Sequence, residues 1–172
     1  MRKLAAIIGS TVFFVIAPGF VAGLVPWWIS HWRRNPAFSG FLFFRNAGAV
    51  LIAFGIIALL DCFARFAFQG GGTPAPVFPT QHLVVTGLYR YVRNPMYVAG
   101  VSAIIGQALV LGNMALLAYA AFVWLASHVF VLLYEEPKLR ATFGAEYQRY
   151  CSEVPRWIPR FTSGNGSKSE KN

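Results

Sequence analysis

A chain of 172 residues that is 56% hydrophobic and only 12% charged has about half the charge content of a soluble domain, so a water-exposed globular fold is excluded and an integral membrane protein is expected. Lys and Arg number 15 against 6 Asp and Glu, a formal net charge of +9, and the cations stand between and after the apolar runs. That placement suits cytoplasmic flanks and anionic lipid headgroups, and without a basic stripe or a soluble fold it leaves nucleic acid no surface to bind.

Arg2 and Lys3 precede an apolar run over residues 4–28, long enough to cross a hydrocarbon core that needs about 20 residues. A cleaved signal peptide is the competing reading, with a shorter apolar region and a weak small-residue site near Ala22 and Gly23. Pro18 and Gly19 predict a kink, and Trp27, Trp28 and Trp32 fit an interfacial belt. A connector with Arg33, Arg34 and Pro36 leads to a second run over 46–68. There Asp61 and Arg65 stand four apart on one helix face, as a structural ion pair near the interface or as the polar wall of a site. Residues 69–81 hold three glycines and three prolines, which exclude regular helix. They form either a loop over a site or a plain linker.

A third span covers 96–111, Gly112 and Asn113 mark a tight turn, and a fourth span covers 114–134. This hairpin brings residues 94–100 beside 134–137 on one membrane face. Ala99 with Ala103, and Ser102 with Gly106, have the small-residue spacing of close helix contacts. After Pro137 an amphipathic stripe of Leu139, Phe143, Tyr147 and Tyr150, broken at Gly144, predicts interfacial helices. Residues 163–172 have the composition of a disordered tail. The expected fold is therefore all-α, a single membrane-embedded domain over 1–162 with about four transmembrane helices. Four spans put both termini on one side, with Arg2, Lys3, Arg90 and Arg93, which the positive-inside rule makes cytoplasmic. Arg33, Arg34 and Arg45 count against that orientation.

The candidate chemistry gathers at the hairpin's open end. Asn94 is a favoured N-cap and Pro95 a favoured first helical residue, so the amides of Met96 and Tyr97 open the third span towards an anion. Tyr89, Tyr91 and Tyr97, interleaved with Arg90 and Arg93, are interfacial anchors or aromatic faces for a sulfonium or ammonium ligand. Glu135 and Glu136 point about 100° apart on a helix, so one can pair with Arg90 or Arg93 while the other meets a ligand. Counting back from Glu135 puts His128 and Trp124 on its face, making His128 either a helix-to-helix hydrogen-bond partner or a catalytic group. His31, His82 and His128 lack metal spacing, so no metal is expected. Cys62 and Cys151 make neither a disulfide framework nor a Cys-x-x-Cys pair. Dinucleotide, zinc-peptidase and serine-hydrolase motifs are absent.

Gly87, Tyr89, Val92, Arg93, Asn94, Pro95, Tyr97 and Gly100 form the first part of a linked pattern. Glu135, Glu136, Leu139, Phe143, Gly144, Tyr147 and Tyr150, then Val154, Pro155, Ile158 and Pro159, complete it. The pattern resembles the isoprenylcysteine carboxyl methyltransferase family. Asn94 to Tyr97 and the run 132–137 also resemble the related phospholipid N-methyltransferases.

The resemblance implies a helical membrane enzyme using S-adenosylmethionine, enclosed on the cytoplasmic face by the last hairpin and the C-terminal segment, with 81–160 as the cofactor-binding half. Carried over by position, the cofactor contacts are Gln81, His82, Leu83, Val84, Tyr89, Asn94, Pro95, Met96, Tyr97 and Glu135. Arg93, Glu136 and His128 are the candidates for substrate handling and proton transfer. Two positions depart from the prenylcysteine pattern: Asn94 stands where those enzymes have histidine, and Val131 where they have a substrate-binding arginine. The expected acceptor is an amphiphile reached from the membrane, a lipid amine or an isoprenylcysteine-type carboxylate on a small molecule or protein. The alternative is a non-enzymatic membrane scaffold or transport accessory.

Overall fold

The structure, a computed structural model, describes residues 16–34, 42–65 and 83–159, and among them every regular element is helical. Helix α1 spans Ile16–Ser30, α2 Leu42–Arg65, α3 Pro95–Leu111 and α4 Met114–Phe130. A π-helical turn at Val131–Glu135 carries α4 into α5, Glu136–Glu153, and a 3-10 turn at Gly87–Arg90 precedes α3. Gln81, His82, the loop composition at 69–81 and the tail at 163–172 lie outside the described residues.

Helices α2 and α3 form the centre of the bundle because small residues let their backbones touch. A Cβ added at Gly48 would lie 2.7 Å from the Gly106 carbonyl oxygen, and one at Gly106 2.6 Å from the Gly48 carbonyl oxygen. Ala99, Ala103 and Gly106 are buried in this seam, as the small-residue spacing predicts. Gly48 and Gly55, their partners, are seven residues apart on one face of α2, a spacing the sequence reading passed over. At the hairpin turn, Asn113 Oδ1 accepts from the amides of Ala115 (2.9 Å) and Leu116 (3.3 Å), capping α4 where the turn signal put its start.

Two helices, α2 and the continuous α4–α5 rod, are long and apolar enough to cross a membrane, fewer than the four spans expected. Helix α3 has 17 residues, about 26 Å at 1.5 Å per residue against a core of about 30 Å, and α1 is described only from Ile16. From Met114 to the bend at Gly144 the α4–α5 helix is about 45 Å long at 1.5 Å per residue, so α5 extends beyond any span ending near Tyr134. Gly144 bends α5 at φ 51°, ψ −121°, a backbone that side-chain-bearing residues rarely adopt, which is the break its amphipathic stripe predicts. Large side chains such as Phe43, Phe122 and Leu133 stay exposed around the bundle, an apolar girdle that water would not tolerate and lipid would.

The irregularity in α1 lies at Phe20–Leu24, a π turn, rather than at Pro18 and Gly19, since Gly19 is helical. Pro26, one turn further on, has no N–H to offer the carbonyls behind it. Two side chains reach those carbonyls instead: Tyr119 Oη donates to Val21 O at 2.9 Å and Gln107 Nε2 to Ala22 O at 2.7 Å. Asp61 and Arg65 form a two-bonded ion pair, both contacts 2.8 Å, and Arg65 also donates to Thr86 Oγ1 at 3.1 Å. The pair thus ties the end of α2 to the turn before α3, and both residues also line a shallow pocket with Thr86, Arg90 and Tyr91.

Candidate active site

The hairpin brings the start of α3 against the end of α4, and a cavity of about 530 Å³ opens between them. Leu83, Val84, Tyr89, Asn94, Met96, Tyr97 and Glu135, seven of the ten residues expected to hold a cofactor, line it together with Arg93 and Glu136. Pro95 is buried at the first position of α3 and outside the lining.

The two glutamates separate as their helical angle requires. Glu135 accepts from Tyr97 Oη at 2.9 Å across the hairpin. Glu136, 5% exposed, accepts from Arg156 through Nε (2.7 Å) and Nη2 (3.1 Å) and from Arg93 Nη1 (3.2 Å), with Arg140 at 3.8 Å. Burial opposes the charged Glu136 carboxylate, but the Arg156 hydrogen bond and the charges of Arg93, Arg156 and Arg140 outweigh it. They hold its pKa below the ordinary carboxylate value. Arg93, the partner expected from the sequence, also donates to Cys151 Sγ (2.8 Å) and, through its amide, to Pro155 O (2.9 Å). Its Nε is buried with no acceptor among the described residues. Arg90 is exposed and takes no part in this network.

Asn94 stands at the N-cap of α3, but its side chain does not cap; Nδ2 donates to Arg156 O at 3.2 Å. The amide of Asn94 thus joins the C-terminal segment to the start of α3, with Tyr150 Oη donating to Tyr89 O (2.7 Å) as a second tie. Arg156, Tyr150 and Cys151 were missed as site residues because the segment after Gly144 folds back across the hairpin, which no local spacing announces.

His128 is not among the lining residues. The count of two α turns back from Glu135 fails because the intervening π turn takes one residue more than an α turn and rotates the face by about 100°. Tyr119, Val123, Ser127, Val131 and Glu135, four apart, line the cavity instead. His128 stacks on Trp124, with ring centroids 5.4 Å apart, and its Nδ1 accepts from Trp157 Nε1 at 3.0 Å. Trp157 in turn meets the Tyr97 ring edge-on at 6.4 Å, so this aromatic group latches the C-terminal segment beside the Tyr97–Glu135 bond.

The family profile described as phospholipid methyltransferase matches residues 44–146, more than half of the chain. The chain belongs to the phospholipid methyltransferase family. Arg93, Asn94, Tyr97, Glu135 and Glu136 all fall within the match; Tyr150, Cys151, Arg156 and Trp157 lie beyond it. Over 100 residues, 56% of this chain and 11% of the relative, it is 34% identical to the phosphatidylethanolamine N-methyltransferase of Laccaria bicolor. Over 80 residues, 45% of this chain and 34% of the relative, it is 36% identical to the protein-S-isoprenylcysteine O-methyltransferase of Schizosaccharomyces pombe. The chain therefore spans about a tenth and a third of the lengths of these curated relatives. No solved structure matches it significantly.

Proposed function

We propose that the chain is an S-adenosylmethionine-dependent methyltransferase, crossing the membrane with α1 to α4, that methylates the amine headgroup of a lipid from the cytoplasmic face. The observation that carries this reading is one cavity joining a polar end, built from Arg93, Tyr97, Glu135 and Glu136, to a long apolar wall on α4. Its donor set fits the cofactor. The unpartnered Nε of Arg93 is a buried donor suited to a carboxylate, and Glu135 is an acceptor suited to hydroxyls or an ammonium group. When bound, S-adenosylmethionine supplies an electrophilic sulfonium methyl.

The rest of the chemistry falls to the chain's own residues, chiefly by positioning. An amine acceptor fits the charge balance better than a carboxylate. Arg93 and Arg156 are committed to Glu136, whereas the hydrogen-bond partner of Glu135 is the neutral Tyr97 phenol, so the reacting end presents an uncompensated acid. That acid attracts an ammonium headgroup and is placed to accept its proton before the amine reacts. Val131, apolar and buried, offers a carboxylate acceptor no clamp.

Radiolabelled methyl transfer to extracted lipids and to prenylcysteine analogues tests the reading. A base-stable methylamine product on lipid is expected, and a base-labile ester formed only on the prenylcysteine analogue would overturn the amine assignment.

A further inference from the structure

The cavity continues beyond its polar end along α4, past Val131, Ser127 and Val123, to Tyr119. No residue of α4 before Tyr119 lines it, and Val101 is the last lining residue on α3. From Glu135 to Tyr119 the helix rises about 24 Å at 1.5 Å per residue, most of the depth of a hydrocarbon core. At the deep end a built contact joins α1 to α3 and α4. Val21 and Ala22, both lining residues of α1, are held there by the bonds from Tyr119 and Gln107 to carbonyls one turn before Pro26. In hydrocarbon neither the phenol nor the amide has water as an alternative partner, so this contact resists opening.

We propose that Tyr119, anchored on the Val21 carbonyl, is the floor of an arm that takes the single apolar chain nearest the acceptor's headgroup, and that it sets the chain length accepted. The inference rests on the reading that the cavity receives a lipid acceptor. An apolar chain gains little by leaving bilayer for an equally apolar arm, so length preference arises from fit rather than from hydrophobic transfer. A chain shorter than the arm leaves a void, and a longer one is driven into a ring that can yield only by releasing α1. Val123 lies one helical turn above the floor, so extra bulk there shortens the arm by about 6 Å.

The test is native mass spectrometry of the full chain in detergent with single-chain phosphoethanolamine lipids of graded chain length. The wild type is expected to lose about tenfold in binding beyond a cut-off length. Tyr119→Ala is expected to move the cut-off to longer chains and Val123→Phe to shorter ones. The absence of wild-type binding or of a cut-off, or a cut-off that neither substitution moves, overturns the proposal. If Tyr119→Ala fails to fold because α1 loses its anchor, Val123→Phe alone decides, and an unmoved cut-off is the contrary result. Methyl transfer assayed on the same lipids separates the two claims: a cut-off that shifts without any transfer keeps the arm and refutes the proposed activity.

Discussion

Glu136 carries more of the site's architecture than any other single side chain. Removing its charge leaves Arg93, whose side chain is 11% exposed, buried without a counter-ion, so Glu136→Gln is expected to cost about 3 kcal/mol of stability. Thermal unfolding in detergent, with Arg140→Gln as the weak control at an exposed partner, measures that difference. The pH dependence has a definite sign. Because the folded carboxyl is depressed below its ordinary value of 4.5, its contribution is present above that value and lost as pH falls through the lower folded one. Wild-type stability is therefore expected to drop as pH falls below about 4.5 by more than that of Glu136→Gln.

In the proposed mechanism Glu135 serves the chemistry rather than the architecture. Glu135→Gln keeps a group that can accept from Tyr97 but removes the base, and is expected to lower kcat/KM by about a hundredfold with little change in melting temperature. A melting loss as large as that of Glu136→Gln would make the residue structural. Both glutamates and Arg93 are legible in the sequence because a short hairpin turn places the start of α3 beside the end of α4. Arg156 is not, because an arginine twenty residues beyond Glu136 becomes its neighbour only when the segment after Gly144 folds back.

At the scale of elements, boundaries and turns followed from local signals, and irregular helix did not. Asn113 caps α4 and Gly144 breaks α5 because turn and backbone preferences act within a few residues. The two π turns act through tertiary partners. The one in α1 is stabilised by Tyr119 and Gln107 from other helices, and the one before Glu135 shifts the lining face so that His128 falls outside it. Register counts across such turns therefore misplace side chains. The α2–α3 seam gives the element-scale prediction. Gly106→Ala puts a methyl against the Gly48 carbonyl and is expected to destabilise by about 2 kcal/mol, whereas Gly19→Ala, with nothing within 4 Å, is expected to stabilise by up to about 1 kcal/mol. Paired thermal melts compare them, and equal effects would mean the seam is not tightly packed.

For the whole molecule, composition fixes the membrane class and the linked motifs fix the family and imply the C-terminal segment as an enclosing wall, but neither names the contacts that hold it there. Those contacts are long-range ties, Asn94 to Arg156, Tyr150 to Tyr89 and Trp157 to His128, which hold the C-terminal segment across the ends of α3 and α4 beside the cavity. Its polar end and apolar wall together support a membrane methyltransferase more directly than any single residue does. The most direct test is calorimetric binding of S-adenosylhomocysteine to detergent-purified chain whose folding is verified by a cooperative melt. Saturable one-to-one binding, weakened at least tenfold by Glu135→Ala and by Arg93→Ala, is the expected result. No binding by folded wild-type protein would contradict the account.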